Sequence, residues 1–170
     1  GHWYESQNML INGTLLKMIN ENPGLKYLMS HNIDTLGANV NPVILGYHVK
    51  NNKTVTMEVT ARRIDDRGGG LAKVNGNLRL VEGLALPKEE IEFDLTFYNT
   101  LTSWMDIDKL LKLFSLNRRD LENEKLVLES VRNTAAKSLH ILLSKKLRKD
   151  GEKGRRIFIR LRSLKNCGEI

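Results

Sequence analysis

Between Glu5 and Asn20 the apolar residues Met9, Leu10, Leu15, Leu16, Met18 and Ile19 recur at helical spacing, and Asn22-Pro23-Gly24 closes the segment. This pattern predicts one amphipathic helix. The run Leu25-Lys26-Tyr27-Leu28-Met29 reads as a buried strand leading to Asn32. Pro42 with Val43-Ile44-Leu45-Gly46-Tyr47 reads as the start of a helix. Residues Thr54 to Thr60 are β-branched and alternating, which predicts a second strand. Gly68-Gly69-Gly70 breaks the chain sharply, and Leu71–Val74 and Leu78–Val81 flank Asn75-Gly76-Asn77 as a hairpin. Phe93–Tyr98 reads as a further strand. Asp106 is placed to cap a helix with Ile107, Leu110, Leu111 and Phe114 inward. Asp120 to Lys137 predicts a last helix, with Leu121, Leu128 and Val131 inward. No internal repeat is visible. The alternation of strands and helices predicts an α/β sheet fragment rather than an independent βαβ domain.

The chain has 170 residues, 41% of them hydrophobic, which suits one core of single-domain size. One Cys excludes an intrachain disulfide and points to a reducing, cytoplasmic compartment. No apolar run approaches the ~18 residues of a membrane span and no signal peptide is visible, so no membrane partner is expected. The net charge of +7 points to an anionic partner until its distribution is read. Residues 1–137 hold 17 basic and 17 acidic residues, whereas 138–170 hold 10 basic and 3 acidic. Cys167 lies in that tail and none of the three prolines does. The chain therefore divides at about Lys137 into a neutral segment, 1–137, and a basic tail, 138–170.

Asn32 and Asp34 follow a predicted strand, at the end where open α/β sheets bind ligands. A carboxylate there can hold a hard cation, and Mg²⁺ takes one or two carboxylates with phosphate oxygens. The Asn32 amide can hydrogen-bond hydroxyls. An Asp beside Leu36 is equally a helix N-cap, and spacing leaves both readings open. Gly68-Gly69-Gly70 after Arg67 offers bare backbone to a phosphate or sugar, or is simply a turn. Arg62-Arg63 with Asp65-Asp66 reads as a solvated ion-pair cluster. His31 and His48 lack metal-ligand spacing, and the Met and aromatic residues read as core.

Five elements stand in order along the chain: Gly1-His2-Trp3-Tyr4-Glu5, Asn32-Ile33-Asp34-Thr35-Leu36-Gly37-Ala38, Arg67-Gly68-Gly69-Gly70, Leu80-Val81-Glu82 and Phe97-Tyr98-Asn99-Thr100. Their order resembles the UDPGP family of nucleotidyltransferases over roughly residues 1 to 137. The resemblance implies part of a Rossmann-like, GT-A-like mixed sheet with flanking helices. It implies attack of a sugar-1-phosphate oxygen on the α-phosphate of UTP, with release of pyrophosphate. Such chemistry needs positioning and positive charge rather than a protein nucleophile. UTP and glucose 1-phosphate are the substrates the family implies by default.

The resemblance also implies roles residue by residue. Asp34 is the catalytic carboxylate near Mg²⁺ and the nucleotide phosphates. Asn32 contacts sugar and nucleotide. Gly1 lets the uridine approach the backbone, and His2 reaches the sugar nucleotide. Gly69 and Gly70 bind substrate through the turn. Glu82 and Asn99 take sugar hydroxyls. Thr35 departs from the Asn common in eukaryotic members. These features imply that Asn32, Asp34, Glu82 and Asn99 converge on one rim. The family's Gly-rich loop and lysine that grip UTP belong to an amino-terminal half not found in this sequence, so the chain is expected to be inactive alone.

The resemblance stops in the tail. Related bacterial proteins continue with segments such as Gly-Gln-Glu-Asp and Phe-Glu-Lys-Leu-Trp-Gly-Asp. Gly154-Arg155-Arg156-Ile157 and Leu164-Lys165-Asn166-Cys167-Gly168-Glu169-Ile170 back-translate into these two with a one-base shift. The expectation is a bacterial-type parent whose frame is lost from about Ser138, leaving a tail out of frame or disordered. The alternative is a basic arm for nucleic acid. Phe158 as its single aromatic, and the lack of a binding motif, weigh against that.

Overall fold

The computed structural model describes residues 3–83, 86, 88–147 and 153–161. Two compact units divide them, one within 1–58 and 100–135, the other within 59–99 and 136–167.

In the first unit the single predicted amino-terminal helix is two. Helices α1 (Trp3–Ile11) and α2 (Thr14–Glu21) are separated at Gly13, whose φ of +74° lies in the left-handed region. The Asn12 side-chain oxygen accepts the Thr14 amide at 3.0 Å, giving the new helix a start. Strand β1 (Tyr27–Ser30) pairs antiparallel with β5 (Phe97–Asp106), Tyr27 opposite Asp106 and Ser30 opposite Ser103. Strand β2 (Val55–Ala61) also pairs with β5. Helix α3 (Pro42–Lys50) starts where Pro42 predicted, and its cap is Asn41, whose side chain accepts Val43 N and Ile44 N. Asp34 is therefore no helix cap.

Asp106 caps α4 (Ile107–Leu113) as expected, accepting the Lys109 amide at 2.9 Å. The last helix, α5 (Glu124–Ser138), starts later than predicted because Asp120 turns back to accept the Asn117 amide and a 3-10 turn covers Arg119–Glu122. Val127, not Leu128, takes the fully buried position. The core joins Leu10, Leu15 and Ile19 to Leu28, Met105, Ile107, Leu110, Leu111, Phe114, Leu121, Val127 and Val131. Arg118 ties it off. It donates to the Asp108 carboxylate at 2.7 and 3.0 Å and to Leu25 O at 2.7 Å. The hydrogen bond from Arg118 holds the Asp108 carboxyl below its usual range.

Helix α3 turns apolar residues outward, and exposed Tyr47 departs from the reading of the aromatic residues as core. Val43 and Tyr47 are exposed, as are Ile33, Leu36 and Val40 before it, while His48 is buried. The His48 Nδ1 lies 2.7 Å from Thr56 Oγ1 on β2, and its ring meets Tyr27 edge-on at 5.6 Å. Its Nε2 is buried and has no partner among the described residues.

In the second unit β3 (Gly70–Val74) and β4 (Asn77–Val81) form the predicted hairpin, with Val74 opposite Asn77. Asn75 and Gly76 both have positive φ, 52° and 82°, as a two-residue type I′ connection requires. Gly70 also stands opposite Tyr98 of β5. The strand expected from Phe93 begins only at Phe97, because Glu89–Asp94 is a 3-10 helix that buries Glu92. The Glu92 carboxylate accepts the Gly68 amide at 3.2 Å and pairs with Arg67 at 3.3 Å. In the tail, expected to be out of frame or disordered, β6 (Leu139–Leu147) and β7 (Lys153–Leu161) pair antiparallel. Pairing of this kind is open to many alternating sequences, and the frame of the gene is a separate matter. The α/β reading stands; among the described residues β1 with β5, β3 with β4, β3 with β5, and β6 with β7 pair antiparallel. Among the described residues no helix is long and apolar enough to cross a membrane.

Burial pushes the His48 imidazole below its ordinary pKa of 6.5, and Asp106 only partly opposes this. The unfolded chain then takes up a proton near its ordinary value, before the folded chain does. Stability therefore falls as pH drops below about 6.5 and recovers above it. Urea unfolding followed by tryptophan fluorescence at pH 7.5 and 5.5 should show this loss, and His48→Gln should remove most of it.

Candidate functional site

Residues 31–38 form a turn hung between β1 and α3. The Asn32 carbonyl accepts the Thr35 amide at 3.0 Å and His31 Nδ1 lies 2.9 Å from the same oxygen. Asn32 is half-buried and Asp34 is exposed. The Asp34 carbonyl accepts the Leu36 amide at 3.0 Å, and its carboxylate makes no hydrogen bond or ion pair among the described residues. Thr35 fixes the turn from below, donating its hydroxyl to Thr100 O at 3.3 Å. The residue that departs from the family pattern is thus the one that anchors the loop.

The second unit gathers four of the expected residues, Gly69, Gly70, Glu82 and Asn99. The Asn99 amide donates to Gly69 O at 3.3 Å, and Asn99 is buried. A Cβ on Gly69 would collide with Val81 O and lie 2.9 Å from Glu82 Cα. Gly69 is therefore pressed between the end of β4, where exposed Glu82 stands, and the start of β5, which carries Asn99. Gly70 is equally constrained: a Cβ there would collide with Phe97 O and lie 3.0 Å from Arg62 Nη2. Both glycines are buried, and the space a side chain needs is already taken by the protein's own backbone. Asn32 and Asp34 belong to the first unit, and Gly69, Gly70, Glu82 and Asn99 to the second. Gly1 and His2 lie outside the described residues.

Sequence reasoning missed Arg62. It is no solvated ion pair: its guanidinium donates to four backbone carbonyls, those of Leu95, Asp66, Gly68 and Gly69. Asp66 instead accepts the Arg63 amide at 2.7 Å. The available signal was an arginine shortly before a glycine run whose carbonyls have no side chains of their own to shield them.

Comparison with known proteins gives this geometry its class. UDP-glucose phosphorylase from Trypanosoma brucei superposes with a TM-score of 0.60 at 21% identity, over 92% of this chain and 33% of that one. A point mutant of UDP-glucose pyrophosphorylase from Leishmania major, in complex with UDP-glucose, superposes with a TM-score of 0.51 at 25% identity, over 63% and 26%. The fold is that of the α/β nucleotidyltransferases. The family profile for UTP–glucose-1-phosphate uridylyltransferase matches residues 1–143, and the chain belongs to this UDPGP family. The Saccharomyces cerevisiae UTP–glucose-1-phosphate uridylyltransferase is 30% identical over 128 residues, 72% of this chain and 25% of the relative. A Dictyostelium discoideum homologue is 34% identical over 118 residues, 64% and 23%. The chain thus spans about a quarter of the length of the curated relatives it matches. These relatives are eukaryotic, which lends no support to the expected bacterial type, and the family match runs past Lys137 into the basic tail.

The packing around Gly69 makes a direct test. Gly69→Ala should destabilise the second unit by about 1–3 kcal/mol, the cost of overpacking against backbone that cannot yield. Gly24→Ala, with open space around the new Cβ, should stay within about 0.5 kcal/mol of wild type. Urea midpoints of the two variants compare them.

Proposed function

We propose that the chain is part of a uridylyltransferase that joins UTP and glucose 1-phosphate into UDP-glucose and pyrophosphate. The observation that carries this reading is the family match over residues 1–143. The packing of Gly69 against Glu82 and Asn99 supports it, because these are positions where the family holds the sugar. In the reaction a phosphate oxygen of glucose 1-phosphate bonds to the α-phosphorus of UTP. The bond from that phosphorus to the bridging oxygen breaks, and pyrophosphate leaves with it. Within this reading Asn99 and Glu82 orient sugar hydroxyls, Asn32 holds the sugar nucleotide, and Gly1 and His2 meet the uridine side.

The Asp34 carboxylate fits a metal ligand. It is exposed, in a turn, and committed to no partner among the described residues. Those residues contain no cluster of three or more His, Cys, Asp or Glu able to hold a metal by themselves. A single exposed carboxylate is the kind of ligand Mg²⁺ takes, since it binds one or two carboxylates and fills its remaining positions with phosphate oxygens and water. When bound, the cation supplies charge stabilisation on the reacting phosphates. The compartment we propose is cytoplasmic.

For the tail we propose the reading-frame break near Ser138. Its support is the charge step at Lys137 and the two shifted segments, of which Gly154–Ile157 is the first. Sequencing the gene across codons 136–139 tests it, and an intact frame there ends the proposal.

Two measurements test the enzyme reading. The 170-residue chain given UTP, glucose 1-phosphate and Mg²⁺ should release almost no pyrophosphate, because orientation of bound reactants is worth ~7–11 kcal/mol of barrier and most of the relatives' length is not in it. A chimera of the S. cerevisiae relative carrying residues 1–137 of this chain should be active. In that chimera Asp34→Ala should lower turnover about a hundredfold or more and respond to Mg²⁺ concentration. Asn99→Ala should mainly raise the KM for glucose 1-phosphate, by the ~0.5–1.5 kcal/mol of a neutral hydrogen bond. Equal losses that ignore Mg²⁺ would refute the assignment of Asp34.

A further inference from the structure

Arg62 follows the last residue of β2, and its side chain reaches two segments of the second unit. Nε donates to Leu95 O and Nη1 to Asp66 O, both at 2.8 Å. Nη2 donates to Gly68 O and Gly69 O, both at 3.0 Å. The guanidinium carbon lies 5.2 Å from the centre of the Tyr98 ring, and the Arg62 amide donates to Thr96 O at 2.9 Å. One planar cation therefore joins the glycine turn, from Asp66 to Gly69, to the chain that enters β5, from Leu95 to Tyr98. Bonds from a charged donor are stronger than neutral ones, and the fork presents them in fixed directions. The Gly69 carbonyl is shared: Arg62 Nη2 and the Asn99 amide both donate to it. Moving the guanidinium moves that oxygen, and with it the backbone of Asn99.

We propose that Arg62 is a positioning residue for the sugar side of the reaction, fixing Gly69 and, through the Gly69 carbonyl, Asn99. The proposal rests on the uridylyltransferase reading. Arg62 itself touches no substrate in it. Its charge is directed at backbone carbonyls, so its effect on a sugar nucleotide is carried by the two residues it holds. A lysine supplies a compact point charge without the planar fork and cannot reproduce four carbonyl bonds and a ring stack at once.

The test uses the full 170-residue chain as wild type, Arg62→Met and Arg62→Lys. Amide hydrogen exchange is read at Asn99 and at the β3–β4 hairpin, and the Asn99 amide signal is followed in a titration with UDP-glucose. In Arg62→Met, exchange at Asn99 should accelerate about tenfold or more while hairpin amides change less than about twofold. The UDP-glucose-induced shift of Asn99 should be lost, and Arg62→Lys should recover part of both. A shift that survives in Arg62→Met overturns the proposal. So does loss of hairpin protection together with Asn99, since Arg62 would then merely hold the unit together. A wild-type Asn99 signal that ignores UDP-glucose overturns the ligand reading, and the proposal with it.

Discussion

Close approach of backbone to backbone governs the second unit. At Gly69 and Gly70 the chain runs so near Val81 O and Phe97 O that no side chain fits. That approach has two consequences. It packs the turn against the end of β4 and the start of β5, the two places where Glu82 and Asn99 stand. It also brings the carbonyls of Gly68 and Gly69 within reach of one arginine. Glycine is needed here for proximity rather than for an unusual dihedral angle, although Gly68 beside it does adopt a φ of +130°.

Elements whose determinants are local were legible in the sequence. The hairpin at Asn75-Gly76 follows from two residues that tolerate positive φ, and α4 follows from Asp106 and four apolar positions at helical spacing. Elements decided by long-range partners were not. Phe93–Thr96 has the composition of a strand, yet the buried Glu92 carboxylate, bonded to Gly68 and Arg67, holds its neighbours in a 3-10 helix. Helix α3 was legible as a helix, but not its buried face. His48 is buried because Thr56 and Tyr27 are there to receive it, and neither is a sequence neighbour. The break at Gly13 could be read only from the glycine itself, since Ile11 and Leu15 keep helical spacing across it.

The candidate site divides in the same way. Asn32, Asp34, Glu82 and Asn99 could be singled out because a family resemblance names them one at a time. What holds them could not. Thr35 reaches Thr100, and Arg62 reaches Leu95, across 65 and 33 positions of chain. Charge pattern alone favoured pairing Arg62 with Asp65 or Asp66 because opposite charges nearby in sequence are the simplest partners. In the folded chain Arg62 instead bonds to converging carbonyls, an arrangement that becomes visible only once the turn is closed.

The loop that carries Asp34 also carries Ile33, 87% exposed, and Leu36, 97% exposed, with Val40, Val43 and Tyr47 following. Five large apolar side chains between Ile33 and Tyr47 thus face water. Any surface that covered them, a second copy of the chain included, would take apolar area out of water. Self-association of that kind adds to the apparent stability of the folded state by mass action, so a melting temperature becomes a function of protein concentration. A melting temperature that rises with protein concentration would thus read the exposure of the segment that carries Asp34.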